Sequence, residues 1–383
     1  MQINKTPVIY TLMLVFWPSS LSFSVDGKSI SALIFIVLSF ILLLCSRYCT
    51  IKKNVQNILF IIFVLYLLIN NLINGFLYQS FSNFNELIRI CGVIAAFYLG
   101  AKVNLYDIDR KAFIFCFIFM FICLSISLLL GYPFDAFYFP KDVRLSWFSV
   151  GVNYLFGYII LSCLIIHCTF QKSKLDVLGI LAFFCIILFQ LLSSGSRTSF
   201  LVCSIFIFLY FTFHKPKHMV FLIIFILVFI LSKFSFVKEI DHVYRLVEFS
   251  KLIVSLDYED FSNIHSFDKR SANLIEVKNL ISNNLIFGHG AGKNIIKVID
   301  SNFYMTIFRY GYFGFFIESI FIVSVFVRVL MKNEIPNIFA ISILCFVLSF
   351  VTLATLYELR CTYIFFFICG FICNYNFKNI SLK

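Results

Sequence analysis

Residues 194–197 read Ser194-Gly195-Ser196-Arg197, a polar turn set between two apolar runs, 177–193 and 199–213. Apolar runs of about 17–25 residues recur along the chain, the length that crosses a hydrocarbon layer of about 30 Å. Backbone groups inside a bilayer must be bonded within their own segment, so such runs are helices. Strict two-residue alternation is absent, which argues against a β-barrel. A guanidinium among such runs is costly and is seldom kept without a task.

Composition agrees. Of 383 residues 61% are hydrophobic and only 13% charged, and mean hydropathy is +0.97. The runs predict an all-α polytopic membrane protein of about twelve transmembrane helices. They lie near 8–24, 30–46, 57–76, 86–101, 111–131, 150–168, 175–193, 198–213, 218–236, 302–330, 336–356 and 360–375. With the N-terminus cytoplasmic, fifteen Lys and Arg fall in the inner segments and six in the short outer ones, the positive-inside bias. Both termini are then cytoplasmic. The formal net charge of +12 reflects this bias rather than nucleic-acid binding. Residues 8–17 also fit a signal-peptide core, but an uncleaved first helix suits the charge pattern better. The thirteen cysteines form no Cys-x-x-Cys pair and read as small buried hydrophobes.

Three parts follow: helices one to nine in 1–236, one large outer loop in 237–301, and helices ten to twelve in 302–383. The loop holds weakly amphipathic pieces at 239–256 and 270–283. A loop of this length in a compact protein is usually functional.

Four outer elements carry candidate chemistry. Arg144 precedes Asn153 at the sixth helix. Ser196 and Arg197 form the polar turn. Arg270 stands ahead of Asn284 and the segment Phe287-Gly288-His289-Gly290-Ala291-Gly292. Asp300-Ser301-Asn302 leads to Tyr310-Gly311-Tyr312-Phe313-Gly314. Arginine grips phosphate with a two-pronged donor, and a carboxylate such as Asp300 can take a proton from an attacking hydroxyl. No metal-ligand spacing is present, so no metal or cofactor is expected.

Each element also has a plainer reading. Arg197 fits a snorkelling interfacial residue, and Arg270 and Arg144 fit solvated loop charges. Arg89 sits three positions after Glu86, as an internal ion pair would. Asp300 fits an N-cap, and the glycines fit a sharp bend. His289 is a candidate base or contact without an evident partner.

The order of these elements resembles the O-antigen polymerase and O-antigen ligase superfamily: the Ser-x-Ser-Arg turn, an outer loop with Arg270, Phe287-Gly288-His289-Gly290, a polar pair, then Tyr310-Gly311-x-x-Gly314. The resemblance covers 144–314 by motif and the whole chain by topology. It implies a GT-C-like fold and a metal-independent, inverting glycosyltransferase acting on undecaprenyl-diphosphate-linked oligosaccharide at the outer face of a bacterial inner membrane. Ligases carry a His-Asn pair where this chain has Asp300-Ser301, and Asn283-Asn284 replaces the usual Asn-Pro. The first departure favours the Wzy-type polymerase. By that resemblance Arg197 and Arg270 bind the diphosphate and Asp300 is the base. Arg144, Asn153, Ser196, Arg89 and His289 contact substrate, and a chain-length regulator is an expected partner. The alternatives are the ligase and a lipid-linked oligosaccharide flippase. A flippase is disfavoured because the chain lacks internal symmetry.

Overall fold

Ile, Leu and Phe fill Val55–Tyr78 without a proline, and this stretch forms an unbroken helix of 24 residues. The computed structural model describes residues 53–78, 82–115, 155–170, 196–214, 275–282, 284–290, 301–332 and 335–374. It also describes the isolated stretches 24–25, 28–29, 36–37 and 186–187 and positions 118, 122 and 191. The helix expected at 218–236, nearly all of those at 8–24, 30–46 and 175–193, most of 111–131 and most of the loop 237–301 lie outside the described residues.

A hairpin of two-residue strands comes first, β1 (Ser24–Val25) antiparallel to β2 (Lys28–Ser29). Helices follow: α1 Val55–Tyr78, α2 Ser82–Lys102, α3 Leu155–Phe170 and α4 Arg197–His214; α5 at 275–282; α6 Asn302–Met331, α7 Asn337–Thr352 and α8 Leu359–Asn374. Seven of the apolar runs thus appear as helices close to their expected bounds. Val55–Leu77 and Asn302–Met331 are long and apolar enough to cross a bilayer, by length and composition. Apart from the hairpin, the described elements are helical, compatible with a membrane protein.

The chain divides into two units, Met1–Ser31 with Asn104–Asp257, and Ala32–Val103 with Tyr258–Lys383. In the first unit α3 and α4 are in contact. His167 and Tyr210, both near the C-terminal ends, meet with Nδ1 and Oη 3.4 Å apart.

In the second unit α1, α2, α6 and α8 share an aromatic core. Phe60 stacks on Phe97 at 3.7 Å, and Phe63 and Phe366 stack on Phe321. Helices α2 and α8 lie parallel and close, with Gly100 against the Phe367 carbonyl and Gly370 against that of Phe97. Small residues permit such approach between helices in lipid. Ile58, Ile61, Leu65, Ile69 and Leu72 of α1 remain exposed, an apolar face that suits hydrocarbon rather than water.

One end of this unit is basic. Asn54 donates to the Cys373 carbonyl at 2.7 Å, and Arg328 donates to Gln56 Oε1 at 3.2 Å. Lys53 and Lys332 flank the same end. The glycine segment and the break in α6 occupy the other.

Candidate functional site

The break in α6 organises the site. Gly311 has φ 69° and ψ −177° inside the helix, a region essentially closed to residues with a Cβ. In an unbroken helix the Tyr312 and Phe313 amides would bond to the carbonyls of Phe308 and Arg309. Here they donate to Leu285 and Ile286, and the freed carbonyls of Phe308 and Arg309 accept from the amides of His289 and Gly290, both at 2.8 Å. The segment 285–290 thus plugs the gap and satisfies these four backbone groups at the break.

Close approach explains its glycines. A Cβ on Gly311 would lie 2.0 Å from the Ile286 carbonyl oxygen, and Gly288, at φ 72°, backs onto the Arg309 carbonyl. The bend expected from these glycines is therefore present at Gly288 and Gly290. Helix α1 supports the junction: Tyr66 donates to the Tyr310 carbonyl at 2.6 Å and Asn70 to that of Phe287 at 2.7 Å.

The first part of α6 folds back beside the second. Asn302 Nδ2 donates to Glu318 Oε1 at 3.0 Å, and Thr306 donates to Glu318 Oε2 at 3.2 Å. Asn302 Oδ1 accepts the Leu356 amide at 2.8 Å. Tyr357, on a 3-10 turn between α7 and α8, donates to Thr306 at 3.0 Å. Burial pushes the Tyr357 phenol well above its usual range, so it stays a neutral donor. Glu358 caps α8 by accepting the Cys361 amide at 2.8 Å.

Beside the break lies a buried ion cluster. Glu86 Oε1 accepts from Arg89 Nε at 2.7 Å, from Arg89 Nη2 and from the Tyr310 hydroxyl. Glu86 Oε2 pairs with Arg309 Nη1 at 2.9 Å. Both guanidiniums face the Tyr357 ring, 4.8 Å and 4.7 Å from its centroid, a cation–π arrangement. Glu86, Arg89 and Arg309 are 5%, 5% and 6% exposed.

The expected pairing of Arg89 with Glu86 is present, and Arg89 spends its donors inside the protein. Besides Glu86 it reaches the Leu356 carbonyl at 2.7 Å and the Tyr310 hydroxyl at 3.2 Å. Arg309 was not singled out from the sequence, though one signal was there: a guanidinium inside an apolar run, two residues before Gly311.

In the first unit Ser196 takes the N-cap position of α4. Its Oγ accepts the Ser199 amide at 3.2 Å and its carbonyl the Phe200 amide at 3.0 Å. Arg197, half-buried, is the first helical residue. A guanidinium adds there to the positive end of the helix dipole, and an anion placed there meets both.

His289 is half-buried, with Nε2 2.8 Å from the Leu280 carbonyl, which ties the segment to α5. Helix α5 presents Val277 and Ile281 to Phe308, as the amphipathic reading of 270–283 required. Ser301, not Asp300, holds the cap position of α6, its hydroxyl donating to the Phe350 carbonyl at 3.2 Å. Arg144, Asn153, Arg270 and Asp300 lie outside the described residues.

Residues 181–308 match the model of a family described as O-antigen ligase. The match takes in the Ser196–Arg197 turn, Arg270, the glycine segment and Asp300, about a third of the chain. It supports the O-antigen ligase and polymerase superfamily. Neither a curated protein nor a solved structure matches the chain. The matched region ends at Phe308, one residue before the arginine that joins the ion cluster.

Proposed function

We propose that this protein is a polysaccharide repeat-unit polymerase of the O-antigen type. It transfers the growing glycan from undecaprenyl diphosphate to a new lipid-linked repeat unit. The observation that carries this reading is the match of 181–308 to the O-antigen ligase family, because that stretch holds Arg197, Arg270 and Asp300 in one ordered series.

In the proposed reaction Arg197 and Arg270 hold the donor diphosphate, with Arg144 as a further anion contact. Asn153, Ser196 and His289 complete the substrate surroundings, while Arg89, expected among them, is spent on Glu86, Leu356 and Tyr310. A hydroxyl of the acceptor sugar attacks the anomeric carbon, the bond from that carbon to the diphosphate oxygen breaks, and Asp300 takes the hydroxyl proton. The anomeric configuration inverts and undecaprenyl diphosphate leaves. Guanidiniums stabilise the charge that gathers on the departing diphosphate.

The proposed site works at the periplasmic face of a bacterial inner membrane. The basic end of the second unit, with Lys53 and Lys332, lies opposite the glycine segment, and positive residues favour the cytoplasmic side.

The family description itself favours a second reading, the ligase that joins finished glycan to a lipid acceptor. Asp300-Ser301, standing where ligases carry His-Asn, is what turns the choice to the polymerase. A lipopolysaccharide gel of a deletion strain separates them. Loss of a polymerase leaves single-repeat lipopolysaccharide, loss of a ligase leaves bare core with polymer stranded on its carrier, and loss of a flippase leaves bare core without polymer. Normal laddering with Arg197→Ala present in the membrane would overturn the assignment of Arg197.

A further inference from the structure

We propose that Arg309 is a buried contact for a diphosphate group, held ready at the break in α6 by Glu86 and Tyr357. This deepens the reading of a lipid-diphosphate substrate and rests on it.

The two arginines of the cluster differ in what they have left to give. A guanidinium carries five N–H donors. Arg89 makes four donations, to Glu86 twice, to Leu356 and to Tyr310. Arg309 makes one, from Nη1 to Glu86, and among the described residues its Nε and Nη2 donate to nothing. It is nevertheless 94% buried, being 6% exposed. These remaining donors are free to donate to an anionic oxygen.

Charge points the same way. Among the described residues the contacts within the cluster set two guanidiniums against one carboxylate, that of Glu86. Glu318, reached through Tyr357 and Thr306, turns its oxygens to Asn302 and Thr306. An excess cation in a low-dielectric setting favours an anionic ligand, and unused adjacent donors of a planar fork suit a phosphate. The position is also fixed. The Arg309 carbonyl is tied to Gly290, its guanidinium lies on Tyr357, and the neighbouring Tyr310 carbonyl is held by Tyr66. An arginine so held is ordered before the ligand binds, which lowers the entropic cost of binding.

The test is native mass spectrometry of the full chain in detergent. It is titrated separately with undecaprenyl diphosphate, inorganic pyrophosphate and phosphatidylglycerol. The wild type is expected to bind undecaprenyl diphosphate, with pyrophosphate competing and phosphatidylglycerol at least tenfold weaker. Arg309→Gln should weaken the lipid diphosphate by about tenfold or more. Equal affinity of wild type and Arg309→Gln overturns the role of Arg309 and leaves the polymerase reading standing. Equal affinity for phosphatidylglycerol overturns it too, as an ordinary anionic-lipid contact. Failure of the wild type to bind undecaprenyl diphosphate sinks both. If Arg309→Gln does not accumulate in the membrane, Arg309→Lys decides, since it keeps the charge and loses the fork. A loss of threefold or more supports the proposal, and wild-type affinity ends it.

Discussion

Asn302 and Glu318 are sixteen positions apart in one apolar run, yet the Asn302 amide donates to the Glu318 carboxylate at 3.0 Å. A straight helix would hold them about 24 Å apart at 1.5 Å per residue. The contact exists because Gly311 breaks α6 and turns its first part back on its second. What remains beyond the break, 312–331, is about 30 Å of helix, a bilayer's hydrocarbon thickness.

Asn302→Ala should destabilise this hairpin by about 1–3 kcal/mol, because it leaves a Glu318 oxygen and the Leu356 amide short of a partner inside the protein. Thermal unfolding in detergent, followed by size-exclusion recovery, measures it. Asn302→Asp should be worse, by setting a second carboxylate beside Glu318, and Glu318→Gln should rescue it. An Asn302→Asp protein as stable as wild type would mean that the two groups do not meet.

Gly311→Ala meets two obstacles, a backbone conformation worth about 1–3 kcal/mol against any residue with a Cβ and a carbonyl 2.0 Å from the new methyl. The expected outcome is little protein in the membrane fraction, by immunoblot. Gly311→Asn should not restore it, because ψ near 180° lies outside the left-handed helical region that asparagine tolerates. Normal accumulation of either variant would contradict the break.

Removing Glu86 leaves two guanidiniums without their carboxylate. Glu86→Ala should cost about 3–5 kcal/mol, the usual penalty of halving a buried ion pair. A double-mutant cycle with Arg89→Met should show strong coupling, the double variant being less damaged than the sum of the singles. Additive losses would argue that the pair is incidental.

Asp300→Asn should slow polymerisation by about 10²–10⁴-fold, the range of a lost general base, with unchanged protein in the membrane. An assay with purified lipid-linked repeat units measures it. Chain growth at the wild-type rate would place the base elsewhere.

Orientation is open to a direct check. Alkaline phosphatase inserted at Asn283 should be active, and a green fluorescent protein fusion truncated after Lys332 should fluoresce. The reverse pair of results would put the glycine segment in the cytoplasm and remove the proposed site from its substrate.

Much was legible in the residue order. Apolar length placed the helices of the described residues, since hydrocarbon permits little else for a backbone. Glu86 and Arg89 could be paired at a distance, because three positions on a helix bring side chains together whatever the rest does. Gly288 and Gly290 announced a bend. Each of these signals is local.

What the order of residues determined by itself is therefore the helical class, the approximate bounds of the described helices and the i, i+3 ion pair. The tertiary structure alone decided that α6 is two helices folded against each other. It decided that the glycine segment supplies the bonds the break removes, and that Arg309 joins Glu86 from 223 positions away. Nothing local announces such partners, because a broken helix is tolerable in an apolar medium only when another segment satisfies its backbone, and that segment is chosen by packing.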